Sequence, residues 1–485
     1  VTSSPAQPPR TLAGRLTTWG LWATLIGTLG ADALAGAWPP AQAATITLAI
    51  HGLAWAGLTL YMLLAWPHLG RGGRIFMVIS GALCVATVIF ADSPVQAIER
   101  ALDRAIFIAS LYSALGFLRE AAETSAMVHR CGAFLAAQPP GRRYVALSIG
   151  GHLFGLILNF GCIALLGTLV MKATGSTPLD DPMEEFRRQR RQQRMMTAIH
   201  RGFGAILTWS PMTVSTAVVL SALPSLRWAD IAAWGLTSAT GLMLISWMLD
   251  RMVKIPSGLK PTVWNPQGSW WVLAPICGLV AAVFGLGALL QELLDLRLVM
   301  AVMIAAPTIG TLWLAAQIQS PLGTLRRLRR HGQVVFPRYR KEIVLLSSAA
   351  FVGSMVATLL PPEQVLAVID SLPLPPWALL SALGALVIGL GQIGLNPILS
   401  VTVLTGALPS PDALGVPAAA VAVALSGAWA ITSVSSPFGA ATMLVGQMTQ
   451  VGAFTAGTRW NGGFAAVGFL FITVLTALVA HLVPA

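Results

Sequence analysis

Charge is what this chain of 485 residues has least of: only 10% of its side chains are Asp, Glu, Lys or Arg, where a soluble domain carries about 25%. Residues 371–485 hold just two, Asp412 and Arg459. With 55% hydrophobic residues, such a chain cannot present a wettable surface all round, and a soluble globular protein is excluded. Cysteine is scarce as well. Cys84, Cys131, Cys162 and Cys277 are the only four, at spacings that fit neither a zinc site nor a disulfide framework. No phosphate-binding loop and no hydrolase nucleophile elbow occurs, so the sequence points away from an enzyme. Nucleic acid is not an expected partner either. The net charge of +12 comes from basic residues in short loops between apolar runs, where membrane orientation accounts for them.

What the chain does have is apolar runs of membrane-spanning length. They fall at 15–38, 43–66, 75–91, 104–118, 202–226, 230–250, 269–291, 297–318, 342–360, 417–447 and 462–483, which makes eleven. Arg10, Arg15, an apolar run and Ala41-Gln42-Ala43 have the look of a cleaved signal. The run Leu16–Trp38 is long enough to span, however, and reads as a leading transmembrane helix after a Pro- and Ser-rich cytoplasmic tail at 1–14. Two further stretches, 145–171 and 378–408, either cross the bilayer or re-enter on the side they came from.

Charge separates these options. With both stretches re-entrant and the N-terminus inside, 26 Lys and Arg residues face the cytoplasm and four (Arg100, Arg104, Arg227, Arg297) face outward. With both spanning, 11 lie inside and 19 outside, against the positive-inside bias. The expected fold is an all-α polytopic membrane protein with eleven transmembrane helices, two re-entrant helical hairpins and a periplasmic C-terminus.

The hairpins mark an internal repeat, 43–250 and 269–483. Gly116 precedes Asn159 by 43 residues, and Gly353 precedes Asn396 by 43. Pro139-Pro140 and Pro375-Pro376 stand at nearly equal distances before the asparagines, and Ser210-Pro211 and Ser436-Pro437 follow in mid-helix. An odd number of crossings between them inverts one repeat against the other, as in secondary transporters.

Backbone that turns inside a bilayer must find partners in protein, ions or water. Asn159 and Asn396, at the hairpin tips, both donate and accept. Pro211 and Pro437 each deny a hydrogen bond to the carbonyl four residues earlier, at Leu207 and Ser433. Thr208, Ser210, Thr213, Ser433, Ser435 and Ser436 crowd the two breaks. Half-helix N-termini attract anions, and the opposing C-termini suit cations. The expected site therefore binds a small anionic solute through these side chains with Pro211 and Pro437. Na+ is the expected coupling ion, on oxygens of Asn159, Leu207, Asn396 and Ser433, and no other cofactor is expected. His152, in the first arm of the first hairpin, either titrates near neutral pH or serves packing and an interhelical hydrogen bond. Asp32 and His51 read as packing residues, and Trp209 and Trp429 either line the cavity or pack helices.

This layout resembles the ion transporter superfamily, most closely the divalent anion/sodium symporter family. The resemblance implies a dimerising scaffold and an elevator-like transport domain holding both hairpins, in a bacterial inner membrane with lipid around it. Only the asparagine of that family's Ser-Asn-Thr tip is present, in Leu158-Asn159-Phe160 and Leu395-Asn396-Pro397, which marks a divergent branch. Two other readings are the large membrane subunit of a multi-component uptake system and a non-transporting component of cell-envelope assembly.

Overall fold

The computed structural model describes residues 40–175, 180–252, 268–335, 339–360, 362–371 and 374–484, with 27, 28 and 30. The expected tail, the leading helix at 15–38 and Asp32 lie outside them, apart from those three residues. In chain order the helices are α1 (Pro40–Ala65), α2 (Arg71–Phe90), α3 (Pro94–Glu123), α4 (Ala126–Ala136), α5 (Pro140–Leu158), α6 (Gly161–Thr174) and α7 (Pro182–Ala205). There follow α8 (Val214–Ala222), α9 (Trp228–Met252), α10 (Ala274–Leu294), α11 (Leu298–Ile318), α12 (Pro321–Arg330) and α13 (Arg340–Leu359). The last are α14 (Pro362–Asp370), α15 (Pro376–Gln392), α16 (Pro397–Ala407), α17 (Ala418–Ser435), α18 (Ala440–Thr449) and α19 (Trp460–Leu482). Five-residue π-turns occupy His331–Val335 and Thr455–Arg459.

Among the described residues, nine helices are long and apolar enough to cross a membrane. The protein is an all-α polytopic membrane protein. Of the eleven runs read from sequence, 202–226 is missing from the nine because Pro211 divides it into a helix end, a 3-10 turn at Ile206–Thr208 and α8.

The chain forms two compact units. Unit 1 comprises Val1–Ala121 and Val283–Leu360. Its core joins Leu58 and Tyr61 of α1, Ile106 and Tyr112 of α3, and Val344, Phe351 and Met355 of α13. His51 and Trp55 both hydrogen-bond Asp103, at 3.0 and 2.9 Å, so His51 ties α1 to α3. Arg119 lies over the rings of Tyr112 and Tyr339, while Glu120 accepts from Arg327 at 2.6 Å and meets His331 at 3.4 Å.

Unit 2, Ala122–Ala282 and Pro361–Ala485, gathers both stretches that the charge count singled out, together with the two proline-broken segments. The matched proline pairs start matched helices. Pro140 and Pro376 each occupy the first turn, with Pro139 and Pro375 extended before them (φ −60, ψ 153 and φ −64, ψ 150). A residue preceding proline is held out of the helical region, and proline itself fits a helix start because no partner awaits its missing N–H. Each of these helices then turns back into a shorter one, α5 into α6 and α15 into α16, and packs on it. The packing is reciprocal: α5 lies along α7 and α15 along α17, while α6 meets α18 and α16 meets α8.

Candidate functional site

The two asparagines sit at the two turns but in different backbone states. Asn159 ends α5 at φ 53, ψ −139, a conformation that only glycine adopts without strain, and its Oδ1 accepts from the Phe160 N–H at 2.7 Å. In the second turn Gly394 takes the positive φ of 99°. Asn396 is left extended, as the N-cap of α16, accepting from the Ile398 N–H at 3.0 Å. Each amide oxygen keeps one lone pair for a further partner.

The first break is built from local capping. Ser210 Oγ accepts from the Met212 N–H, Thr213 Oγ1 donates to the Ser210 carbonyl and caps α8, and Thr208 Oγ1 donates to the carbonyls of Ala205 and Gly235. Leu207, Ser210, Pro211 and Thr213 are all buried. Trp209 leans out of the break, stacks on His152 and donates to its Nε2 at 3.2 Å. In that bond Nε2 is the acceptor. His152 is thereby a partner of Trp209 across α5 and the break.

The second break can be accounted for carbonyl by carbonyl. A helix end leaves four C=O groups without intrahelical partners. In α17 these belong to Thr432, Ser433, Val434 and Ser435. Thr432 accepts from the Ser436 N–H at 2.9 Å, Ser433 from Thr442 Oγ1 at 3.3 Å, Val434 from Asn461 Nδ2 at 3.2 Å, and Ser435 from Thr458 Oγ1 at 3.5 Å. The carbonyl that Pro437 frees at Ser433 is thus already engaged, although it retains a second lone pair. Ser433 Oγ itself donates to the Ala430 carbonyl.

The turn between α15 and α16 is stitched to this break. Ser436 Oγ donates to the Gly391 carbonyl at 2.6 Å and accepts from the Phe438 N–H. Gln392 donates to Ser435 Oγ at 3.2 Å and accepts from Thr458 at 3.0 Å. A Cβ at Gly391 would overlap the Thr432 methyl, so glycine is what lets α15 approach α17 this closely.

Of the residues expected at a site, the structure ties Ser435 and Ser436 to Gln392 and Gly391, in the turn that Asn396 follows, and gathers Thr208, Ser210, Pro211 and Thr213 at the other break. Sequence reasoning missed Gln392, Thr458, Asn461 and Arg201. It also missed His200, fully buried in α7 against the Ser433 backbone. The available signal for Arg201 was its place beside Gly202-Phe203-Gly204, separated by six uncharged residues from the run that ends at Arg194. Among the described residues, no group of three or more His, Cys, Asp or Glu side chains could hold a metal ion.

A scan against family models finds no match, and a search of curated proteins finds none. Among solved structures, the chain is similar to the YdaH transporter of Alcanivorax borkumensis, which has an unusual topology. That likeness has a TM-score of 0.59 at 15% identity, over 86% of this chain and 99% of the other. It is also similar to MtrF of Neisseria gonorrhoeae, at a TM-score of 0.52 and 11% identity, over 86% of this chain and 96% of the other. MtrF illuminates a class of antimetabolite efflux pumps. At these identities the likeness shows a shared fold, that of a polytopic all-α membrane protein.

Proposed function

We propose that this protein is a secondary active transporter of a small anion in a bacterial inner membrane, and that unit 2 is the moving part of an elevator. The observation that carries this reading is the reciprocal packing of two helix turns and two proline breaks within one compact unit. Inverted repeats whose broken elements face one another are the architecture of alternating access. In this reading α5–α6 and α15–α16 are re-entrant hairpins and the full count is eleven spans with the N-terminus inside. The resemblance to a divergent divalent anion/sodium symporter belongs to the same reading, as does a homodimer.

The ligand is held by neutral groups. Asn159, Asn396, Thr208, Ser210, Thr213, Ser433, Ser435 and Ser436 supply amides and hydroxyls, and the half-helix N-termini after Pro211 and Pro437 supply partial positive charge. Sodium is the coupling ion, on the remaining lone pairs of Asn159, Asn396 and the Leu207 and Ser433 carbonyls. The likeness to an efflux pump makes export a direction to measure alongside uptake.

The deciding experiment is flux of a panel of labelled organic and inorganic anions in proteoliposomes, with the sodium gradient imposed inward, outward or not at all. Flux that follows sodium and is lost in both Asn159→Ala and Asn396→Ala is the expected result. Flux that ignores sodium and tracks an imposed pH gradient would remove the coupling ion. Absence of flux for every anion would overturn the transport reading. Topology is checked separately with cysteines at the exposed Arg190 and Ser410, which should label from opposite faces. Gln192 is unsuitable for that purpose, being buried and bonded to Thr174 and the Gly175 carbonyl.

A further inference from the structure

Arg201 is 8% exposed, in the C-terminal half of α7, and has no carboxylate in salt-bridge range among the described residues. The nearest charge pairing on that helix is separate: Arg194 grips Asp250 through two hydrogen bonds of 2.7 Å. An unpaired guanidinium buried in a membrane protein is expensive, and among the described residues every partner it has is neutral. Nε donates to Asn461 Oδ1 at 2.8 Å, Nη2 to the Trp460 carbonyl at 2.9 Å, and Nη1 to the Tyr144 hydroxyl at 3.3 Å, with the Phe464 ring beneath. Tyr144 in turn meets Ser246 at 2.6 Å.

Asn461 is the informative partner. It is wholly buried, and while its oxygen accepts from Arg201, its amide donates twice. One bond goes to Val434, among the last four carbonyls of α17, and the other, 2.8 Å long, to Ala456 in the π-turn. The same π-turn carries Thr458, which bonds Gln392 and the Ser435 carbonyl. A cation at the oxygen of an amide polarises it and strengthens the bonds its N–H groups make. The geometry points to Arg201 as a positioning residue. Acting through Asn461 from the first half of the chain, it locks the α17 end and the π-turn of the second half, and so fixes the Ser435–Gln392–Thr458 cluster. This rests on the reading of the second break as part of the ligand site.

A cation that merely needed an acceptor would be equally content, or better served, by a carboxylate. A relay would not, because a carboxylate accepts from Arg201 but cannot donate to Val434 and Ala456. Hydrogen exchange of the purified full-length protein in nanodiscs, with no ligand added, separates the two. Arg201→Met and Asn461→Asp should each speed amide exchange in Ser436–Gly439 and Thr455–Arg459 about tenfold or more. The first break, Ser210–Thr216, should stay unchanged in Asn461→Asp. Arg201→Lys, which keeps the charge on one donor centre, should fall between wild type and Arg201→Met. If Arg201→Met does not purify, the pair Arg201→Lys and Asn461→Asp decides alone. Wild-type protection in Asn461→Asp would overturn the relay. Since the readout needs no substrate, its failure is distinct from a failure of the transport reading.

Discussion

At the first break, Ser210, Pro211, Met212 and Thr213 are buried, and their hydroxyls serve neighbouring backbone. At the second, Phe438 is 57% exposed and rests near Gly394, beside Ile393 at 72%. Two of its hydroxyls reach segments 45 and 66 residues away, Ser436 bonding Gly391 and Thr458 bonding Gln392. Two regions built on one sequence pattern thus differ in kind. The first is buried, with Ser210 and Thr213 serving local turns and Thr208 and Trp209 reaching Gly235 and His152, while the second is open at Phe438 and stitched to the α15–α16 turn. The lesson is that a repeated motif conserves the place where a helix breaks, and the surroundings decide what the broken ends bind. In the reading proposed above, the open break is the accessible half of the ligand site.

The comparison is tested most severely at the glycines. A Cβ on Gly202 would run into the Ser148 carbonyl, and one on Gly151 into the Ile199 carbonyl, so α5 and α7 touch backbone to backbone. At Gly391 the obstacle is the Thr432 side chain. Gly202→Ala should cost about 3 kcal/mol or more and Gly391→Ala about 1–2 kcal/mol, because backbone yields less than a side chain. Thermal unfolding in one detergent measures both, and equal shifts would contradict a tighter first half.

Next comes the pair of serines. Ser436→Ala leaves the Gly391 carbonyl and the Phe438 N–H without their partner, a loss of about 2 kcal/mol, whereas Ser210→Ala removes one local bond, about 1 kcal/mol. A larger loss at Ser210 would mean that the local turns, not the stitches, carry the stability.

The asparagines should differ in sign. Asn159→Gly relieves the positive φ and should raise stability by about 1 kcal/mol, while Asn396→Ala removes an N-cap and should lower it by about 1 kcal/mol. Chemical denaturation resolves the two. A destabilised Asn159→Gly would show that the Asn159 amide holds more than its own turn. The smallest effect is a rate: a single cysteine at Phe438 should react with an impermeant thiol reagent about tenfold faster than one at Met212.

Much of this architecture is written locally. Apolar runs give the spans, the pairs Pro139-Pro140 and Pro375-Pro376 start α5 and α15, and Pro211 and Pro437 end the helices before them. The equal spacing of Asn159 and Asn396 placed both at turns, yet spacing does not encode φ, and so the different roles of the two were hidden. Arg201 counted as a loop charge because membrane rules read a basic residue near a helix end as solvated. Its burial depends on Asn461, 260 residues later. Thr458 and Asn461 escaped for the same reason. The carbonyls they satisfy belong to another helix, and no local pattern announces a tertiary hydrogen bond.

The π-turn at Thr455–Arg459 has a consequence for register. A π-turn holds one residue more than the α-helical turn it replaces, so everything beyond it is rotated by about 100° from where an uninterrupted helix would place it. That offset is what aims Asn461 at Arg201 and Val434 while Phe464, three residues on, lies under the guanidinium. Deleting one residue here, Gly457 for example, would let α19 wind on as a plain α-helix with its apolar content intact. Every side chain after the deletion would then face a third of a turn away from its partner. The chain would still insert, and its second half would be threaded on the wrong screw.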